Sequence, residues 1–519
     1  KHKNPTQPTN HSKQDVTPAS EAACSPSKET PAETNLPYRM ERSEQVGRYL
    51  VASRDLKAGE VIIETPPLIV GPCAETEPVC VGCHSTFDAG STICRCEVCG
   101  WRICSANCHG LTADGLHRQL ECIPLRDKAV EKLLTAASTI EQKLMYEALL
   151  TLRCMLLKGV DPARYGRILD MDPLNSVRQA IPKLWNRNHR EIVRRIRSEW
   201  GFEEFSEEEL HTICGVLEVN AFEVGQEPVK ARALFPEACL LMHDCTPNTG
   251  HTDAPRTHQL TVRVLRDVGA GESLTLTYAY TLQGTLQRRQ HLKDEKFFLC
   301  RCRRCSDPTE LGTNCSALAC SNCRRGYILP VNPLDPTAEW RCQHCPSRMA
   351  CEAVVLLLDS LSRQLETIGG NDVRGLEAFL AGQATVLHDN HYLMLAAKHS
   401  LCELYGKTEG YLVPQLSAEQ LKRKETLCRD LLEVADQLEP GLSRIRGTVM
   451  YEMHVPLLIE AGQLFQCGVI QRAELRRRLK DVQRLLRESE RILALEPEGS
   501  PEYGIAEAAR EALKNMGPV

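Results

Sequence analysis

Cysteine spacing sets the first limit on how this chain can fold. The sequence holds 26 cysteines, and many stand in C-x-x-C pairs within two stretches, 80–122 and 300–345. Disulfide frameworks belong mostly to small secreted modules and spread their cysteines through them. Adjacent C-x-x-C pairs instead suit tetrahedral Zn²⁺, each knuckle giving two ligands to one ion. This chemistry predicts a reducing compartment, nuclear or cytoplasmic.

The first stretch contains Cys80-x2-Cys83, Cys96-x2-Cys99, Cys104-x3-Cys108 and His117-x4-Cys122, eight ligands for two ions. The first and third pairs are expected to share one ion, and the second and fourth pairs the other. Closed four-ligand sites of this kind are structural rather than catalytic. Cys94 falls outside the spacing and is read as a bystander. Further along, Cys320-x2-Cys323-x18-Cys342-x2-Cys345 is a self-contained zinc ribbon. Cys300, Cys302 and Cys305 lie too close together to include a fourth ligand, which must come from elsewhere in the fold.

Around these clusters the chain changes character several times. Residues 1–36 are rich in Pro, Thr, Ser, Lys and Glu, too polar to offset ordering entropy, and are expected to be a disordered tail. Short β-rich runs fill 46–70 and 259–278, each broken by a charged, glycine-bearing turn, "RDLKAGEVI" and "RDVGAGESL". They read as two hairpins of one β-rich domain split by the segments between. Residues 126–210 have apolar residues near helical spacing. Within them, 183–200 is basic and amphipathic and reads as a solvated helix face, with a nucleic-acid contact as the alternative. From 351 onward, amphipathic runs joined by Gly/Pro breaks predict helices paired in series. With 63 basic against 68 acidic residues, net charge −5, there is no global field for gripping nucleic acid. No run of 18 apolar residues appears, so no membrane span is expected.

The eight-ligand spacing resembles a MYND zinc finger. Such a finger set inside a split β domain, followed by "HDCTPN", "GESLTLTY" and "FFLCRCRRC", resembles the SET and MYND domain (SMYD) family of protein lysine methyltransferases. "GRYLVASRDLKAGEVI" and "LLMHDCTPNTGH" resemble its arthropod-specific branch. The resemblance implies a multidomain α+β architecture in this order: SET N-terminal part 37–75, MYND finger 76–125, helical insertion 126–210, SET core 211–282, post-SET segment 283–312, zinc ribbon 313–350 and all-α array 351–519. It implies that Cys245 completes the Cys300/Cys302/Cys305 site, for four structural zinc ions. The 11 cysteines left over are expected to be small buried hydrophobes.

By the same resemblance the chain transfers methyl from S-adenosylmethionine to a protein lysine, histone or non-histone. Tyr278 matches the channel tyrosine that orients the amine. Gly47 and Arg48 match the cofactor turn, Asn220 a cofactor-contacting asparagine, His243 the residue whose backbone meets the adenine, and Phe298 the aromatic packed on it. Three positions depart from the family. Met242 replaces the asparagine beside His243, Tyr49 the second glycine of the turn, and Lys296 an expected channel aromatic. They support an alternative, a catalytically weak SET/MYND scaffold recruiting partners in transcriptional regulation. The finger implies proline-rich peptide partners and is expected to fold alone. The chain is expected to be a monomer without direct nucleic-acid contact; the closed metal sites and the lack of a recognition-helix finger argue against a DNA binder.

Overall fold

The structure is a computed structural model describing residues 36–44, 46–87, 94–226 and 228–517. Apart from Leu36, the tail expected over 1–36 lies outside these residues. The β region is organised by the two similar turns, but not as two hairpins. Residues 54–60 and 266–272 pair with each other. Leu56 and Val268 exchange backbone hydrogen bonds of 2.9 and 3.0 Å. The Ala58 N–H donates to Asp267 Oδ1 at 3.0 Å, and the Ala270 N–H to Asp55 Oδ1 at 2.9 Å. Arg54 pairs with Glu60, and Arg266 with Glu272. Gly59 and Gly271 take φ of +92° and +82°, which a side chain would strain. Each Asp therefore satisfies an amide donor that the other turn leaves open, so the repeat associates across the domain.

The strands consequently find partners distant in sequence. β1 (Tyr38–Ser43) pairs antiparallel with β2 (Gly47–Ala52). β3 (Val61–Thr65) pairs not with β2 but with Leu260–Val264, whose other edge carries Thr249–Asp253. A second sheet runs in the order Ile69–Pro72, Ala231–Leu234, Phe222–Val224. Leu260, Val262 and Val264 are buried while Thr261 and Arg263 are half-buried, the period-2 pattern of a strand with one face in a core. That core also takes Leu50, Ile62, Phe235, Leu274 and Leu276. A two-residue parallel pair, Met242–His243 against Thr275–Leu276, brings "LMHDC" beside "LTLTY".

Helix α1 (Tyr146–Val160) packs on Ile69–Pro72, and α2 (Glu207–Asn220) packs on α1. α2 begins with a capping box between Ser206 and Glu209. Residues 182–199 form an α segment followed by two π turns. Arg187, Arg190, Arg195 and Arg197 there pair with Glu218, Glu191, Glu199 and Glu207, which is the solvated, charge-balanced face expected. α3 (Thr285–Lys296) leads into the ribbon, whose strands run in sequence order from Leu318 to Met349. Beyond it α4 to α10 (351–366, 373–383, 392–404, 418–438, 444–466, 472–493 and 501–516) form a helical array. From α5 onward each packs on the next. Among the described residues, no helix is long and apolar enough to cross a membrane.

Candidate active site and metal centres

The four ligand sets gather, three as the spacing predicts and the one with Cys245 as the resemblance implies. Cys80, Cys83, Cys104 and Cys108 form one; Cys96, Cys99, His117 and Cys122 another; Cys245, Cys300, Cys302 and Cys305 a third; Cys320, Cys323, Cys342 and Cys345 the fourth. Within each, all ligand atoms lie within 4.8 Å of one another. Zn–S bonds of about 2.3 Å put tetrahedral ligands about 3.8 Å apart. The sulfur contacts measure 3.6 Å for Cys80–Cys108 and Cys83–Cys104, 3.7 Å for Cys96–Cys122, 3.5 Å for Cys245–Cys305, and 3.6 Å for Cys320–Cys345. These distances are far too long for disulfides and fit the edges of a Zn²⁺ tetrahedron. Backbone amides of Cys323 and Asn322 pull the Cys320 thiol down to about 6, favouring the thiolate ligand. Cys315, buried in the helical core, and Cys94, half-buried, belong to none of the four sets.

The second shells are built by other elements. His117 Nδ1 meets Glu121 Oε1 at 2.7 Å, leaving Nε2 for the metal set. Arg153 on α1 donates to both Glu121 oxygens, at 2.6 and 3.1 Å, and to the carbonyls of Val70 and Val81. Arg153, Glu121 and His117 are all fully buried. Trp101 of the finger stacks on Tyr146 of α1, and His84 Nδ1 lies 3.2 Å from Nε2 of His258 in the β domain. The finger therefore shares its core and second shell with the rest of the chain, against the expectation that it folds alone.

At the third centre stand the residues read as catalytic. Tyr278 is half-buried, and its hydroxyl donates to the Leu241 carbonyl. Burial raises its pKa, so the phenol stays protonated at neutral pH. Burial pushes His243 down to about 4, so its ring is neutral. Its Nδ1 accepts the Tyr278 N–H at 2.9 Å, which leaves Nε2–H to donate to Cys245 Sγ at 3.3 Å. The His243 ring lies 5.3 Å from that of Tyr278 and 5.8 Å from that of Phe298. Phe298 follows Phe297, which ends α3 in the left-handed region, and keeps 36% of its surface exposed.

Of the residues read as cofactor-binding, Arg48 and Asn220 meet at the loop 170–172. Arg48 donates to the Asp170 carbonyl, and Asn220 Nδ2 to the carbonyls of Asp172 at 3.1 Å and Val216 at 3.0 Å. The Asn220 amide is thus spent on holding α2 to that loop. Gly47 has φ +73° with open space around it, and the Tyr49 hydroxyl is turned to Glu41 at 3.2 Å. Met242 is half-buried in its strand. Lys296 reaches the C-terminal end of α2, donating to the Val219 carbonyl at 3.1 Å, with its pKa lowered by burial. Sequence reading missed Cys239, whose thiol donates to the Asn220 carbonyl, and Arg288 and Glu310 behind the third centre. A lone cysteine, an arginine in a strongly polar helix and a glutamate in a turn carry no spacing signal that could have found them.

Residues 47–279 match the SET domain family model. The chain is similar to the SET domain-containing protein SmydA-8 of Drosophila melanogaster. It is 30% identical to isoform A over 319 residues, covering 59% of this chain and 64% of that protein. It is 32% identical to isoform B over 329 residues, covering 59% and 66%. The matches thus span just under two thirds of these relatives. It is also similar to histone-lysine N-methyltransferase ASHR1 of Arabidopsis thaliana, 24% identical over 431 residues, covering 78% of this chain and 84% of that one. Histone-lysine N-methyltransferase SMYD3 of Homo sapiens is 25% identical over 273 residues, covering 50% and 59%. Over residues 47–279 the chain is thus similar to SET-domain proteins of the SMYD kind, a fly SmydA protein among them.

Proposed function

We propose that the chain is an S-adenosylmethionine-dependent protein-lysine N-methyltransferase acting on histone or non-histone protein. The observation that carries this reading is the setting of Tyr278: backbone fixed by His243, hydroxyl proton given to Leu241, Phe298 exposed nearby. With its proton engaged, the phenol oxygen keeps lone pairs free to accept from a substrate amine. Because the phenol stays protonated, it is no general base, and the lysine ammonium must lose its proton to water before reacting. The residues fit the cofactor: Phe298 offers an exposed aromatic face, and the turn at Gly47 is open because Tyr49 is turned away. S-adenosylmethionine, when bound, supplies an electrophilic methyl on its sulfonium. The chain's share is proximity and orientation of the amine.

Two relatives carry the name histone-lysine N-methyltransferase, which supports the reaction class and a nuclear or cytoplasmic setting. The MYND finger is read as the docking point for proline-rich peptides, and the chain as a monomer without direct nucleic-acid contact. The division into SET parts, finger, insertion, post-SET, ribbon and helical array is kept as the working domain map. A second reading, a SET/MYND scaffold with weak or lost catalysis, is favoured by one observation. Lys296 places a cation where the family has an aromatic. Calorimetric titration with S-adenosylmethionine, followed by labelled methyl transfer to histone and cytosolic protein, separates the two. Binding with lysine-directed transfer supports the enzyme. No binding at millimolar cofactor removes it and leaves the scaffold.

A further inference from the structure

We infer that the third zinc centre holds the segment Tyr278–Gln283 in place, and that His243 is the positioning residue through which it fixes Tyr278. This deepens the methyltransferase reading and rests on it for the role given to Tyr278. The segment belongs to no helix or strand, so side chains must hold it. One arm is His243, whose imidazole accepts the Tyr278 N–H at Nδ1 and sets Nε2 3.3 Å from Cys245 Sγ. A metal-bound thiolate keeps negative charge and is a better acceptor than a thiol, so the strut is strongest when the centre is loaded. The other arm starts at the same sulfurs. Arg288 donates to Cys245 Sγ at 3.3 Å, to Cys305 Sγ at 3.5 Å and to Glu310 at 2.7 Å. Glu310 also accepts from Arg304 at 3.0 Å, and Arg304 donates to the carbonyls of Thr281 at 2.7 Å and Gln283 at 2.9 Å. Arg288, Arg304 and Glu310 are at most 1% exposed. Both ends of the segment are thus tied to one metal centre. From its middle the Thr281 hydroxyl donates to Glu439 of the helical array at 2.8 Å. Loss of this ion would free the tyrosine while the ribbon kept its own four-cysteine set.

The test is amide exchange across 277–283 in the full chain, read by mass spectrometry alongside zinc content by native mass spectrometry. In His243→Ala, with four zinc ions kept, the Tyr278 amide should exchange at least about 10-fold faster. His243→Gln, whose amide group can both accept and donate, should restore part of the protection. kcat should fall in His243→Ala with cofactor affinity within about 2-fold. Tyr278 protection unchanged in His243→Ala would overturn the inference. If His243→Ala folds poorly, two cysteine variants decide. Cys305→Ser should deprotect 277–283 and Cys320→Ser should not; equal protection in both overturns it. A wild-type chain that transfers no methyl, yet shows this exchange coupling, would end the methyltransferase reading while leaving the strut standing.

Discussion

Glu310 is the most exacting place to test how the third centre is held. Its side chain is 1% exposed and accepts from Arg288, Arg304, the Ser316 hydroxyl and, at 3.3 Å, the Thr285 N–H. Burial alone would raise its pKa, but Arg288 and Arg304 outweigh burial and pull it from 4.5 down to about 2. At about 1.4 kcal/mol per unit, the charged form contributes roughly 3 kcal/mol to the fold at pH 7. Removing one partner of a buried ion pair costs about 3–5 kcal/mol by an independent route. Glu310→Gln keeps the shape, so no cavity confuses the result, and leaves two buried guanidinium groups without a counter-charge. With a urea slope of about 3 kcal/mol/M, the unfolding midpoint, followed by tryptophan fluorescence at pH 7, should fall by about 1 M. The acid limb gives a second check. The carboxylate is held charged in the fold, so its contribution is whole above about pH 5 and fades as pH falls toward 2. The gap between wild type and variant should therefore narrow over that range. A midpoint shift below about 0.3 M at pH 7, or a gap that widens in acid, would refute the argument.

Tyr278→Phe should slow methyl transfer about 10- to 100-fold, the worth of one hydrogen bond to a charged or reacting group, while calorimetry finds cofactor affinity within about 2-fold. Met242→Asn restores a polar side chain beside His243 and should tighten S-adenosylmethionine by about 5- to 10-fold; no gain would mean that this position does not face the cofactor. Cys320→Ser should lower zinc content by one ion and leave cofactor affinity unchanged, because the ribbon set is local. Cys245→Ser should also cost one ion but weaken cofactor binding, since Cys245 joins the β domain to the cysteines that follow Phe298. An excised finger of residues 76–125 lacks Arg153 and should hold zinc about 10- to 100-fold more weakly than the full chain, measured by competition with a chelator.

The metal centres were the most legible part. Ligands with two to four residues between them must lie near one another whatever the rest of the chain does, so two finger sites and the ribbon follow from spacing. The helical array was legible too, because a repeat of apolar residues at helical period needs no distant partner to declare itself. Cys245 was different: 55 residues separate it from Cys300, and only the family resemblance suggested the link that the fold makes. The two "RD…AGE" turns were legible as turns but not as partners. Local propensity predicts a hairpin, while the choice of Asp267 for Ala58 and Asp55 for Ala270 depends on which open amide meets which carboxylate. The same holds for the candidate site. Tyr278, His243 and Phe298 were named from the sequence, but not that His243 would spend both ring nitrogens between a metal ligand and a backbone amide. Nor did anything local mark Arg288, Arg304 and Glu310 as buried. Isolated charges read as surface, and only the tertiary structure, by surrounding them with one another, makes their burial affordable. Spacing and periodicity thus determined what each segment is; which distant groups must satisfy one another was decided only when the chain closed on itself.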